Sequence, residues 1–194
     1  MKKLSILVLL VTSINCFAVT NPSKILQNNS VNAEEYYTIG YYDKNSHQIV
    51  MTIAMSDQLS QTFSNLSQDM IKLPATLNTI QIEDNNPEKM DCFSYFCAYG
   101  TTSEGNSFNE AIELYKIEKD GNIHYCMKKS HGKTTHTCEG CPSCEFTKDP
   151  QSGEITGCKC NVQGTCNHTV TNESGGGAGL LGWLTLIVSI IALL

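Results

Sequence analysis

The stretch of sequence that most strongly determines the fold is residues 111–127, which read AIELYKIEKDGNIHYCM. Two runs rich in apolar and aromatic residues, 111–117 and 122–127, flank a polar turn that contains Asp120-Gly121. Asp-Gly favours the tight turn whose central residues take positive φ, and that turn joins the antiparallel strands of a hairpin. This stretch therefore predicts a β-hairpin and, around it, an antiparallel sheet.

The chain on the N-terminal side of this hairpin contains further runs with strand composition. Residues 35–42 and 48–55 are rich in tyrosine and β-branched residues and flank the turn-like segment 43–47. This arrangement predicts a second hairpin. Composition predicts the remaining elements of this region as strands at 77–82 and 90–99, a turn at 85–87 and a loop at 104–109.

Residues 56–73 have the periodicity of a helix. Ser56 is suited to cap its first turn, and Pro74 is suited to end it. Apolar residues recur four, three and four positions apart, which places them on one helical face, at Leu59, Phe63, Leu66 and Met70. Together with the hairpins, this helix predicts an α+β fold that is mainly antiparallel β with one helix.

Cysteines dominate the region that follows the sheet. Cys16 belongs to the predicted secretory signal, so a secreted chain keeps nine cysteines, an odd number that leaves one thiol free or linking two chains as a dimer. Export through an oxidising route makes disulfides their expected state. The disulfide candidates are Cys92, Cys97, Cys126, Cys138, Cys141, Cys144, Cys158, Cys160 and Cys166.

Residues 126–173 contain few apolar side chains, so covalent links must replace much of the missing core. We expect a small disulfide-rich irregular segment or stalk. The alternative use of these cysteines is a metal or redox site: the spacing of Cys138, Cys141 and Cys144 resembles a thiolate cluster, and His131 and His136 are near in sequence. The oxidising route favours disulfides over metal, so no cofactor or metal is predicted.

The N-terminal residues 1–18 have the order of a secretory signal. Lys2 and Lys3 precede an apolar run, and small residues stand at Cys16 and Ala18, where signal peptidase reads. The run is too short for a transmembrane helix. We therefore expect a secreted chain that reaches the cell surface.

The C-terminal residues 174–194 have the pattern of a glycosylphosphatidylinositol (GPI) attachment signal. Small residues around Ser174 precede the uncharged apolar tail 180–194, with no basic flank that would fix a permanent transmembrane helix. Ser174 or Asn172 is the expected lipid attachment residue. The alternative is a retained transmembrane helix over 175–194, which is just long enough to cross a bilayer.

The remaining chemistry points to a binding protein. Four Asn-x-Ser/Thr sequons mark N-glycosylation candidates. The chain contains no arginine, which argues against nucleic acid or anionic glycans as partners, and its formal net charge is −6, as is common in exposed ectodomains. Its tyrosine-rich strands either fill the core, which we favour, or form a contact patch for an extracellular protein or glycan ligand. The sequons stand at Asn28, Asn65, Asn167 and Asn172.

No nucleophile elbow, zinc-protease motif or phosphate loop occurs in the sequence, so no catalytic residue is predicted and the protein is not expected to be an enzyme. The expected function is a non-catalytic binding, adhesion or coat role for a membrane-anchored, Cys-rich surface glycoprotein. The alternative is an ectoenzyme or a redox or metal-binding protein that uses the Cys/His-rich segment. The predicted organisation is a signal at 1–18, a mainly β domain at 19–125, the Cys-rich segment at 126–173 and the attachment signal at 174–194.

Overall fold

The computed structural model describes residues 36–128 and 134–172. The predicted secretory signal and attachment tail lie outside these residues, as do Asn28, His131 and Ser174. Within the described ranges, 56% of the residues are in strands, and no helix is long and apolar enough to cross a membrane.

The described elements are ten strands and one helix. In chain order they are β1 Tyr36–Asp43, β2 Gln48–Met51, α1 Asp57–Ile71, β3 Ala75–Asp84, β4 Ser94–Thr102, β5 Ser107–Lys119, β6 Asn122–Lys128, β7 Thr134–Glu139, β8 Cys144–Lys148, β9 Ile155–Cys160 and β10 Asn167–Asn172.

Strand β5 is the centre of the sheet. Its first half pairs with β4 on one side and β7 on the other, and its second half pairs with β6. Beyond β4 lies β3, beyond β7 lies β10, and beyond β6 lie β1 and β2, all antiparallel to their neighbours. Strands β8 and β9 form a separate two-stranded hairpin. The antiparallel, mainly β prediction is therefore confirmed, whereas the label α+β describes it roughly.

Alternation along β4 and β5 gives the sheet two buried faces. Phe96, Phe108 and Ile112 belong to the main core, which also holds the apolar side chains of α1 and β6. Their neighbours Tyr95 and Ala111 point to the opposite face and pack with Ile155 of β9. The β8–β9 hairpin thus packs on part of the second face, through Ile155 and the partly buried Phe146.

Helix α1 follows its predicted pattern. Ser56 caps it by accepting a hydrogen bond from the backbone N–H of Leu59, and Lys72 ends it in the left-handed conformation. Leu59 and Phe63 are fully buried, whereas Met70 is 40% exposed. The ring of Phe63 sits over Gly100 and contacts Phe108 edge-on.

Both predicted hairpins form. Strands β1 and β2 pair around the turn at 44–47, and β5 and β6 pair around Asp120 and Gly121, which both take the positive φ that the Asp-Gly signal requires. The helix and the strand around 77–82 are also confirmed, the latter as part of the longer β3.

Three expectations need correction. Strand β4 begins and ends later than 90–99, and residues 107–109 of the expected loop belong to β5, because pairing with β4 and β7 imposes strand geometry on a polar sequence. The region 126–173 is less irregular than expected, since β7 to β10 lie within it. Hydrogen bonds to a neighbouring strand compensate there for the weak apolar alternation of the sequence.

Candidate functional site: a polar groove and a cysteine cluster

An open groove of about 550 Å³ runs along the second face of the sheet. Strands β3 and β4 form its floor, and the segment that leads into β8 forms its wall. Its lining is mostly polar, with Asn78, Thr79, Gln81, Glu83, Tyr99, Thr101, Ser107, Asn109, Ser143, Glu145 and Phe146 among the residues that contribute.

Strand alternation places these floor residues. Ile80 and Ile82 of β3 pack in the main core, so Thr79 and Gln81, which alternate with them, are exposed on the other face. A bulge between Leu77 and Thr79 changes the parity of the strand, which is why Leu77 is also buried in that core. On β4, Tyr99 is directly opposite Thr79 in the register. The polar side chains of β3 and β4 that point away from the main core therefore line the groove.

Glu83 is the most constrained polar group of the groove. Its carboxylate accepts hydrogen bonds from the Tyr99 hydroxyl, from Lys148 Nζ at 2.5 Å and from Gln81 Nε2 at 2.6 Å. Burial raises the pKa of Glu83, but the hydrogen bonds from Lys148 and Tyr99 outweigh it and hold the pKa below its usual range. The carboxylate is therefore ionised at neutral pH, and its oxygens already accept hydrogen bonds from these three neighbours.

The wall of the groove is fastened to the start of β5. The Ser107 backbone N–H donates to the Cys141 carbonyl at 2.7 Å, and the Ser107 hydroxyl accepts from the Cys144 N–H at 3.1 Å. Asn109 Nδ2 donates to the Cys144 carbonyl at 2.8 Å from a buried position. These bonds fix the position of the cysteine segment relative to the floor.

Six cysteines converge directly behind this wall. Cys141 and Cys160 form a disulfide with a Cα–Cα separation of 6.2 Å. The sulfur atoms of the other four lie within 4.8 Å of one another, and Cys141 Sγ is 3.5 Å from two of them. These four are Cys138, Cys144, Cys158 and Cys166.

Three thiols of this cluster, those of Cys138, Cys144 and Cys158, favour their protonated form. Burial, reinforced by the neighbouring thiols, raises the pKa of Cys138 far above its usual value and that of Cys144 to about 12. Burial also raises the pKa of Cys158. Four thiolates cannot crowd together without a cation to offset their charge.

The remaining disulfide candidates are separate from one another in space. Cys97 is fully buried on the second face beside Tyr95 and Ala111, and burial raises the pKa of its thiol well above the usual range. Cys126 is buried beside Thr38. Cys92 is partly exposed and its thiol donates to the Gln151 carbonyl. All three are free thiols in the structure.

The histidines near the cysteines form a different contact. His136 on β7 stacks on His168 of β10, with Nδ1 of His136 3.1 Å from Nε2 of His168. Burial and the neighbouring ring lower the pKa of His136 to about 4. The pair is therefore neutral at pH 7 and packs edge-on against Tyr95 through His136.

Three sequons fall within the described residues. Asn65 is exposed on α1, and Asn167 and Asn172 are exposed on β10. All three positions are accessible to a glycan, and their glycosylation stays a prediction, as does lipid attachment at Asn172.

Sequence reasoning did not identify the groove. The signal for its floor was the alternation of Thr79, Gln81 and Glu83 with buried residues in β3. Its wall comes from a segment about sixty residues further along the chain, and periodicity does not reveal that contact. The cysteine cluster was foreseen as a group, but its division into one disulfide and four thiols was not.

No protein-family model, no curated protein and no solved structure matches the chain. The groove and the cysteine cluster are therefore the features on which a functional argument rests.

Proposed function

We propose that the protein is a secreted, GPI-anchored surface glycoprotein with a non-catalytic binding role, and that the polar groove binds a neutral carbohydrate. The observation that carries this proposal is the open groove itself, which combines a hydrogen-bonding floor on a rigid sheet with a wall fixed by the cysteine segment.

The groove has the chemistry of a carbohydrate site. Amide and hydroxyl groups of Asn78, Thr79, Gln81 and Thr101 can both donate and accept hydrogen bonds, as sugar hydroxyls do. Tyr99 adds an amphipathic ring to the same lining. One N–H of Asn78 already donates to Thr101 and one N–H of Gln81 to Glu83. An apolar ligand would cover the second N–H and the carbonyl oxygen of each amide, at a cost of about 1–3 kcal/mol for each group that it leaves without a partner.

The charges of the groove disfavour an anionic ligand. Glu83 and Glu145 both line it, and the chain contains no arginine to bind a phosphate or sulfate in two-point contacts. Lys148 is already bonded to Glu83. A neutral, hydroxyl-rich ligand is compatible with these charges.

The arrangement of Glu83 supports binding over catalysis. A catalytic acid or base needs a pKa near the operating pH, whereas the pKa of Glu83 is held low and both of its oxygens are engaged. The carboxylate stabilises the floor and orients Gln81 and Tyr99.

The position of the groove suits a protein that is anchored after β10. The first half of β5 has β4 and then β3 on one side and β7 and then β10 on the other, so β3 and β10 form opposite edges of this part of the sheet. A membrane attachment following Asn172 would leave the edge formed by β3 free. A glycan on Asn65 of α1 would also leave the groove open, because α1 packs on the opposite face.

The test is binding of fluorescent neutral oligosaccharides to cells that display the full-length chain. The double variant Asn78→Ala/Gln81→Ala removes two exposed groups of the floor. The loss of about 0.5–1.5 kcal/mol per hydrogen bond should lower affinity by roughly 5- to 150-fold. Release by phosphatidylinositol-specific phospholipase tests the anchor in the same cells.

Gln58→Ala is the matched control, because Gln58 is equally exposed but lies on α1 away from the groove. It should leave binding unchanged. If no oligosaccharide of a broad panel binds, or if the double variant binds as well as the control, the carbohydrate proposal is wrong.

A further inference from the structure

The four thiols of Cys138, Cys144, Cys158 and Cys166 come from four separate parts of the fold. Cys138 is on β7, Cys144 begins β8, Cys158 is on β9 and Cys166 precedes β10. Strand pairing and the bonds to Ser107 hold these parts in place. Their sulfur atoms nevertheless lie within 4.8 Å of one another.

This convergence matches the requirements of a tetrahedral thiolate site. Four sulfurs at about 2.3 Å from a Zn²⁺ ion lie roughly 3.8 Å from one another, so a set whose members are all within 4.8 Å closes around the ion by small side-chain movements. Cys138 and Cys144 are buried, and Cys158 and Cys166 are partly exposed, which gives the ion an entry path.

The four sulfurs form one compact set, and none of them is joined in a disulfide. Cys141 and Cys160 in the same segment are joined as a disulfide, whereas each of the four others has the remaining three within the same range. Four free sulfurs that are all this close to one another have the geometry that one central cation requires.

We propose that Cys138, Cys144, Cys158 and Cys166 bind one Zn²⁺ ion as a structural tetrathiolate site. Each thiol gives up its proton to the solvent as its sulfur bonds to the ion, so binding releases four protons and leaves a site of charge −2. No electron is transferred. The loaded sulfurs are then withheld from thiol–disulfide exchange, because that reaction needs a free thiolate as the nucleophile.

The site supplies stability where the local core is small. The cluster around these cysteines contains Phe146 as its one non-cysteine hydrophobic residue. Segments with so little apolar surface depend on disulfides or metals for their folding free energy. The ion would therefore fix the wall of the groove, since Cys144 is part of that wall.

The experiment measures metal and thiols in the full-length chain, produced in a eukaryotic secretory system and purified without chelator. Elemental analysis and native mass spectrometry should find about one zinc per chain. Four cysteines should resist alkylation until a chelator is added. A chain that is purified without metal is titrated with Zn²⁺, and a dissociation constant above micromolar overturns the proposal. The finding that the four proposed ligands are oxidised to disulfides also overturns it.

Two variants separate zinc from disulfides. Cys158→His replaces one sulfur by a nitrogen that can bind zinc but cannot form a disulfide, so it should retain zinc. Cys166→Ser should lose most of it, whereas the control Cys92→Ser should keep it, because Cys92 lies outside the cluster. Loss of zinc in Cys158→His with the fold intact by circular dichroism, or retention in Cys166→Ser, contradicts the proposed ligand set.

Discussion

Buried polar groups at single positions hold the parts of this sheet together. Lys116 Nζ lies 2.6 Å from Asp84 Oδ2, with side-chain exposures of 2% and 0%. Lys116 also donates to the carbonyls of Asn86 and Lys89, and the hydroxyl of Tyr125 donates to Asp84. Both charges of the pair are therefore compensated. The same contacts link the turn after β3 to β5 and β6.

Replacing Lys116 by Met should destabilise the protein by about 3 kcal/mol, because it leaves the Asp84 carboxylate buried without its cation. Lys44→Met is the control, since the Lys44–Glu118 pair is exposed and such pairs contribute about 1 kcal/mol or less. Urea denaturation of both variants measures the two effects. Equal losses would show that the buried pair has no special role.

Glu110 gives the stability a distinctive pH dependence. Its carboxyl group is buried, accepts from the Thr137 hydroxyl at 2.7 Å, and has its pKa raised from 4.5 to about 8, mainly by burial. The folded state therefore binds a proton that the unfolded state releases between these values. This group's contribution is fully present below pH 4.5 and is lost as the pH rises to 8, by at most about 1.4 kcal/mol per pH unit.

Glu110→Gln should remove this slope, because the amide keeps an acceptor for Thr137 and does not ionise. Stability measured by urea denaturation between pH 5 and 9 should then fall less steeply than in the parent chain. Glu145→Gln, at an exposed position, should leave the slope as it is. An unchanged slope in Glu110→Gln would mean that another group controls it.

The packing of helix α1 on the sheet depends on Gly100. A Cβ at Gly100 would overlap the ring of Phe63 and lie 2.7 Å from the Thr76 carbonyl oxygen. Gly100→Ala should therefore cost roughly 1–3 kcal/mol through overpacking. Gly157→Ala, which meets only the rotatable hydroxyl of Thr147 at 3.2 Å, should be nearly neutral in the same thermal denaturation experiment. Similar melting temperatures for both variants would contradict this packing argument.

The elements that could be predicted are those specified by local sequence. The Asp120-Gly121 turn and the spacing of apolar residues in α1 depend on neighbours within a few positions, and both are found where the sequence places them. The start of β5 was missed, because its strand geometry comes from pairing with β4 and β7 and not from its own residues.

The candidate site was predictable to a smaller extent for the same reason. Cysteine spacing indicated a cluster, but only the packing of β8–β9 on the second face brings Cys144 beside Asn109 and sets the wall against the floor. Register and long-range packing decide such contacts, and a one-residue shift would turn Thr79 and Gln81 into the core.

For the whole molecule, the two faces of the sheet differ in what stabilises them. The main core contains apolar side chains from α1 and from β1, β3, β4, β5 and β6. The second face depends on a small apolar group around Tyr95 and on the cysteine cluster. Apolar burial on the first face is insensitive to redox state and metal, whereas the second face depends on sulfur chemistry.

Reductant together with a chelator should therefore open the cysteine segment before the sheet. Removing the Cys141–Cys160 link should cost about 3 kcal/mol for a loop of this length. In hydrogen–deuterium exchange, peptides within 142–161 should lose protection while those of α1 stay protected, since local opening follows local contact energy.

Cys141→Ala/Cys160→Ala should reproduce the effect of the reductant on the same peptides, with Cys92→Ser as the unaffected control. Because the segment that opens forms the groove wall, oligosaccharide binding should be lost under conditions that leave α1 protected. If α1 exchanges together with residues 142–161, the two faces unfold as one cooperative unit and the separate stabilisation argued here is wrong. Retained binding with an opened segment would show that the floor of the groove is sufficient for recognition.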